Sequence, residues 1–167
     1  MGRYRTPQKP GSPYITAKGA ERLRTELKEL WKKRREVTAA VTAAAAEGDR
    51  SENAEYIYRK KQLREIDRRV RYLTKRIEVL KVVDTVPSDP TKIFFGAYVT
   101  VEGEAGEESE YRIVGPDEFD PKKDWISMDS PVARALMKKG IDDEIEVDLP
   151  KGKGWLIITA IRYDADA

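Results

Sequence analysis

The chain has 167 residues, 37% charged and 40% hydrophobic, with a net charge of +2 and neither cysteine nor histidine. That composition excludes a disulfide framework, a thiolate metal site and imidazole chemistry, so any chemistry rests on carboxylates, Arg, Lys, Tyr, Ser or a partner's groups. Residues 1–90 hold 22 Lys+Arg against 13 Asp+Glu, and residues 91–167 hold 10 against 17, so the halves carry +9 and −7. A basic half joined to an acidic half points to two different partners, the first suited to an anionic surface such as nucleic acid.

Residues 1–13 are basic and rich in Pro and Gly, without the apolar centre of a signal peptide. They read as a flexible arm on a cytoplasmic protein, and no apolar run approaches the roughly 20 residues that span a membrane. From Leu23, apolar positions recur at Leu27, Leu30, Val37, Val41 and Ala44, with Arg34 filling one slot. A second series runs Leu63, Ile66, Val70, Leu73, Ile77 and Leu80, and its backward extension reaches Arg59, Tyr56 and Glu52. Both are heptad patterns, the mark of a seam between supercoiled helices. The short connection around Gly48 and Asp49 makes the two helices antiparallel. The expectation is a coiled-coil hairpin over residues 14–86, roughly 45 Å long at about 1.5 Å per residue. A spacer or dimerisation rod has the same periodicity. Two features favour a probe: the alanines Ala39, Ala40 and Ala43 to Ala46 thin the end of the first helix, and helix two is basic. Between Arg59 and Arg76 nine cations face only Glu65 and Asp67. Solvated helices usually mix signs, so Arg59, Lys60, Lys61, Arg64, Arg68, Arg69 and Arg71 are candidates for phosphate contact.

Two prolines over residues 87–92 predict a linker. Residues 93–167 then predict a small antiparallel sheet with one helix, making the whole chain α+β. Strands are expected at Phe94 to Val101, alternating from Tyr98 onward, and at Tyr111 to Val114, Trp125 to Met128, Glu144 to Asp148 and Trp155 to Tyr163. Ser130 caps a helix expected from Val132 to Lys139, with Pro131 at its first position and closure at Gly140. Trp125, Trp155, Phe94 and Leu136 are read as core. No catalytic constellation appears there, which leaves docking as the reading.

The tip has two readings. Asp49 and Glu52, spaced i,i+3, outline a capping box at a helix start. They are also two carboxylates at the exposed end of a rod, with Glu55 a turn further. That is too poor a site to hold Mg²⁺ alone, but enough to complete a site that a partner half supplies.

The segment Gly48-Asp49-Arg50-Ser51-Glu52-Asn53-Ala54-Glu55-Tyr56 resembles the tip signature of the bacterial Gre transcript-cleavage factors. Ser130-Pro131-Val132-Ala133-Arg134-Ala135-Leu136 is similar to that family's C-terminal motif, and the basic run from Lys60 to Lys75 resembles its GreB branch. The similarity covers about Tyr14 to Tyr163; the arm departs from it. The resemblance implies an FKBP-like C-terminal domain docked on the rim of RNA polymerase's secondary channel, with Asp129, Ser130, Pro131 and Arg134 as the docking candidates. It implies a hairpin inside that channel. Asp49 and Glu52 would there share the polymerase's second, weakly bound Mg²⁺ as the catalytic pair. Arg50, Ser51, Asn53, Glu55 and Tyr56 would support the tip, and extruded 3′ RNA would be cleaved in the polymerase. The chain is then a monomeric factor and not an enzyme in isolation. Three alternatives stay open: a channel-binding inhibitor, a prolyl isomerase or chaperone, and a basic nucleic-acid-binding coiled coil.

Overall fold

The computed structural model describes residues 8–48, 52–150 and 152–164, with Leu149 described by its backbone only. Two compact units form, one from Ala20–Leu80 and one from the segments flanking it. The first is the hairpin of α1 (Ala17–Ala45) and α2 (Ala54–Val79). At about 1.5 Å per residue these helices are roughly 44 and 39 Å long. The predicted seam carries the packing: Val37, Ile66 and Val70 are buried together, with Leu27, Leu30, Val41 and Leu63 packed on them. The polar slot is also used, because Arg34 Nε donates to Asp67 of the facing helix at 2.6 Å. Near the end of α2, Ile77 is half-buried and Arg76 is buried.

The domain boundaries expected at residues 14 and 86 are corrected. β1 (Tyr14–Ile15) pairs in parallel with β2 (Lys81–Val82), and both belong to the globular unit. The last residues of the expected flexible arm are likewise tied down. The Pro13 carbonyl accepts from the Lys81 amide at 2.8 Å. Ser12 donates its amide to Asp129 at 2.9 Å and its hydroxyl to the same carboxylate. Met1 to Pro7 lie outside the described residues.

Around the start of α1 sits a buried polar knot. Thr16 caps the helix by accepting from the Gly19 amide at 3.0 Å. The Glu118 carboxylate accepts from the Thr16 amide at 3.1 Å, the Gly115 amide at 3.0 Å and the Thr16 hydroxyl. Glu118 is 1% exposed, so these donors are what make its burial tolerable. A Cβ at Gly19 would lie 2.1 Å from Glu118 Oε1, which is why glycine stands in the first turn of a helix.

The globular unit is built on a five-stranded sheet, β3 (Tyr98–Gly103), β4 (Glu108–Val114), β5 (Trp125–Ser127), β6 (Glu144–Leu149) and β7 (Gly152–Arg162), in the order β5-β4-β3-β7-β6. The sheet is antiparallel as expected except at one edge, where β5 runs parallel to β4 after two 3-10 turns carry the chain across. One face packs Val99, Val101, Ile113, Leu156 and Ile158 against Ala133 and Leu136 of α3 (Pro131–Leu136). That helix is shorter than the sequence predicts. The Ile93 carbonyl takes the Lys138 amide and the Ile93 amide donates to the Lys139 carbonyl, so Lys138, not Gly140, takes the positive φ of 66°. A bulge in β7 opposite Thr100/Val101 changes which residues face the core. It places Trp155, Ile157, Ala160 and Arg162 together on the face away from α3. Trp155, read as core, is therefore 49% exposed, whereas Leu136 is fully buried as expected.

Candidate functional site: the hairpin tip and its basic helix

The hairpin's end is closed by Asn53. Its Oδ1 accepts from the Tyr56 amide at 3.1 Å, capping α2, while its Nδ2 donates to the Ala44 carbonyl of α1 at 2.8 Å. One side chain thus satisfies an orphan donor of one helix and an orphan acceptor of the other. This corrects the cap assignment. Asn53, not Asp49, caps α2, which starts at Ala54. The signal was legible, since Asn ahead of a helical pattern is a capping residue, but Asp49 competed for it. Asp49, Arg50 and Ser51 lie outside the described residues.

Glu52 sits in the exposed turn directly ahead of the cap. Glu55 is engaged: Arg59 Nε donates to it at 2.8 Å across one helical turn. Tyr56 is half-buried with the Lys60 ammonium 5.3 Å from its ring centre. Among the described residues no group of three acids, histidines or cysteines is placed to hold a metal ion.

The candidate cations separate into two sets. Arg59 is committed to Glu55, to Gln62 Oε1 at 3.0 Å and to the Tyr58 ring. Arg69 forms a forked pair with Glu26 of α1 at 2.7 and 3.1 Å and lies over Tyr72. Arg69 thus ties α2 to α1, while the partners of Arg59 all lie on its own helix. Lys61, Arg64, Arg68, Arg71 and Lys75 are all exposed. Their 3-4-3-4 spacing puts them on one stripe, opposite the buried seam of Ile66, Val70 and Leu73 and about 21 Å long. Lys60 flanks it. An unbroken row of cations tracks a phosphate backbone without reading sequence.

In the globular unit, Ser130 Oγ accepts from the Ala133 amide at 3.2 Å and caps α3, Pro131 opens that helix, and Arg134 is exposed. Asp129 is braced by Ser12. Sequence reasoning missed this brace and the Glu118 knot, because their partners are 117 and 102 residues apart.

The sequence comparisons agree with this layout. The family model described as "Transcription elongation factor, N-terminal" matches residues 13–82, and "Transcription elongation factor, GreA/GreB, C-term" matches residues 87–163. The chain is 64% identical to the Pasteurella multocida protein named transcription elongation factor GreB, covering 92% of this chain and 98% of that one. It is 57% identical to the GreB of Xanthomonas axonopodis pv. citri and 58% identical to that of Pseudomonas aeruginosa, with 98% of each chain covered in both cases. A crystal structure of the GreA factor homolog Gfh1 from Thermus thermophilus aligns with a TM-score of 0.42 at 23% identity, over 89% of this chain and 97% of that one, and adds nothing at that similarity. A capped two-helix tip, a basic second helix and a separate sheet unit fall on the two matched halves in order, and the chain belongs to the GreA/GreB family of transcription elongation factors.

Proposed function

We propose that this elongation factor binds RNA polymerase, inserts its hairpin into the secondary channel and stimulates cleavage of the extruded 3′ RNA of backtracked complexes. The observation that carries the reading is the tip. Glu52 stands exposed on a turn whose two helix ends are clamped together by Asn53, so a carboxylate is presented at the end of a narrow rod. Asp49, three residues before Glu52 in the sequence, is the second carboxylate of the proposal. Mg²⁺ shared with the polymerase supplies water activation and charge stabilisation for phosphodiester hydrolysis. The chain's own residues present carboxylate oxygens, hold them on a capped helix end, and keep RNA phosphates beside the rod through Lys61, Arg64, Arg68 and Arg71. Asp129, Ser130, Pro131 and Arg134 form the docking edge of the sheet unit. On this reading the protein acts as a cytoplasmic monomer and is not itself a nuclease. Among the described residues no helix is long and apolar enough to cross a membrane.

The test is RNA cleavage in a backtracked complex with Asp49→Ala and Glu52→Ala, alongside a polymerase-binding measurement. The expected result is lost stimulation with binding retained, since neither substitution removes the Asn53 clasp. Normal cleavage by both variants at saturating Mg²⁺ sinks the proposal. Stronger inhibition of synthesis, with no cleavage by the wild type, would instead favour a channel-binding inhibitor.

A further inference from the structure

The sheet face away from α3 carries a row of alternating rings and cations. Trp125, Arg112, Tyr98 and Arg162 are register partners across four adjacent strands. The Arg112 guanidinium lies 4.8 Å from the ring centres of both Tyr98 and Trp125, Arg162 lies 3.8 Å from Tyr98, and Lys123 lies 4.8 Å from Trp125. Arg112 is 6% exposed and stays buried by stacking, with its Nε lacking a protein hydrogen-bond partner. The same face holds a third large ring, Trp155, half exposed. Among the described residues no cation stands over it.

Carboxylates surround Trp155 instead. Ile157 is flanked in its register row by Glu102 of β3 and Glu144 of β6, and Trp155 is paired with Glu146. Glu102, Gly103, Glu104, Glu144, Trp155 and Ile157 line one open cleft of about 310 Å³. An uncovered indole face, an apolar shelf at Ile157 (39% exposed) and acids around them have the chemistry to take a cation with an aliphatic stem. Lys153 does not fill this role, since its ammonium reaches Glu146 at 3.9 Å with three-quarters of its side chain exposed. The acids that would hold a guanidinium repel phosphate, so the cleft disfavours nucleic acid and suits a basic protein surface. Among the described residues, the pattern that completes Tyr98 and Trp125 is left half-built at Trp155.

We propose that the Trp155 cleft is a second docking point, taking an arginine side chain presented by the polymerase. This rests on the reading that the chain binds polymerase, and it adds a contact separate from the Asp129–Arg134 edge.

The test measures affinity for purified core polymerase with the full-length chain carrying Trp155→Ala, Trp155→Phe, or Glu102→Gln with Glu144→Gln. In parallel, it measures binding of a labelled peptide of alternating arginine and leucine. The alanine and double-glutamine variants should weaken polymerase binding roughly 5- to 10-fold, as a partly desolvated cation–π contact does. Trp155→Phe should retain most of the affinity, which a purely structural role for the indole would not predict, and the peptide should follow the same order. Unchanged polymerase affinity in both the alanine and double-glutamine variants overturns the proposal while leaving the functional reading intact. If the wild type fails to bind polymerase, the functional reading falls and the polymerase as occupant falls with it. Peptide binding indifferent to Trp155→Ala then removes the cleft as a cation site too.

Discussion

Replacing Asn53 by alanine removes both halves of the tip clasp at once. Loss of a helix N-cap costs about 1 kcal/mol, and leaving the Ala44 carbonyl without its 2.8 Å donor costs about 1 kcal/mol more. Ala44 is buried, so water does not readily replace that donor. A total of about 2 kcal/mol makes local opening of the tip about 30-fold more frequent. The Tyr56 and Ile57 amides, which donate to the Asn53 side chain and carbonyl, report this directly in hydrogen exchange. Asn53→Asp separates the two contributions, because it keeps an acceptor for Tyr56 and lacks the donor for Ala44; it should fall between wild type and alanine. If the tip acids act as proposed, cleavage stimulation should drop in the same order while polymerase affinity stays constant. Wild-type exchange rates at Tyr56 and Ile57 in Asn53→Ala would refute the clasp, whatever the activity.

Gly19→Ala should destabilise the protein although alanine favours helix by up to about 1 kcal/mol. The new methyl displaces a carboxylate holding three donors, each worth about 1.5–3 kcal/mol, so a net loss of about 2 kcal/mol and a melting point lower by about 4–8 °C are expected; a gain in stability would be incompatible with the Glu118 knot. Lys61→Glu with Arg68→Glu should slow cleavage of long extruded RNA more than of short ends and reduce the salt slope by roughly 0.7 per lost contact. Arg69→Ala should instead lower hairpin stability with little change in that slope, because its guanidinium belongs to Glu26. Tyr163 donates its hydroxyl to the Lys92 carbonyl at 2.6 Å and accepts from the Phe94 amide at 2.9 Å, and burial holds its pKa above the ordinary 10.0. The folded state therefore keeps this proton more tightly than the unfolded chain, so its contribution is complete below pH about 10 and fades as pH rises further. Tyr163→Phe should cost about 1 kcal/mol at neutral pH and flatten the alkaline part of the stability profile.

The sequence by itself determined the elements whose information is local. Heptad spacing specified the hairpin seam, down to the polar slot at Arg34, because packing between two long helices repeats every turn and leaves its period in the chain. Alternation specified most of the sheet, and Ser130-Pro131 specified the start of α3. The opposing charges of the two halves and the family motifs were also plain in the residues. Contacts between distant residues were decided only by the tertiary structure. No spacing rule links Thr16 to Glu118 or Ser12 to Asp129, so the N-terminal segment looked like a free arm although its last residues are bonded into the sheet unit. Trp155 looked like core because hydrophobicity alone cannot say which face of a bulged strand a residue occupies; one extra residue in β7 turned it outward. The basic helix read as one charged face until the fold gave Arg59 partners on its own helix and Arg69 a partner on α1, and left Lys61, Arg64, Arg68, Arg71 and Lys75 on the solvent side. Charge is written in the sequence, but whether a cation has a partner depends on what folding brings beside it.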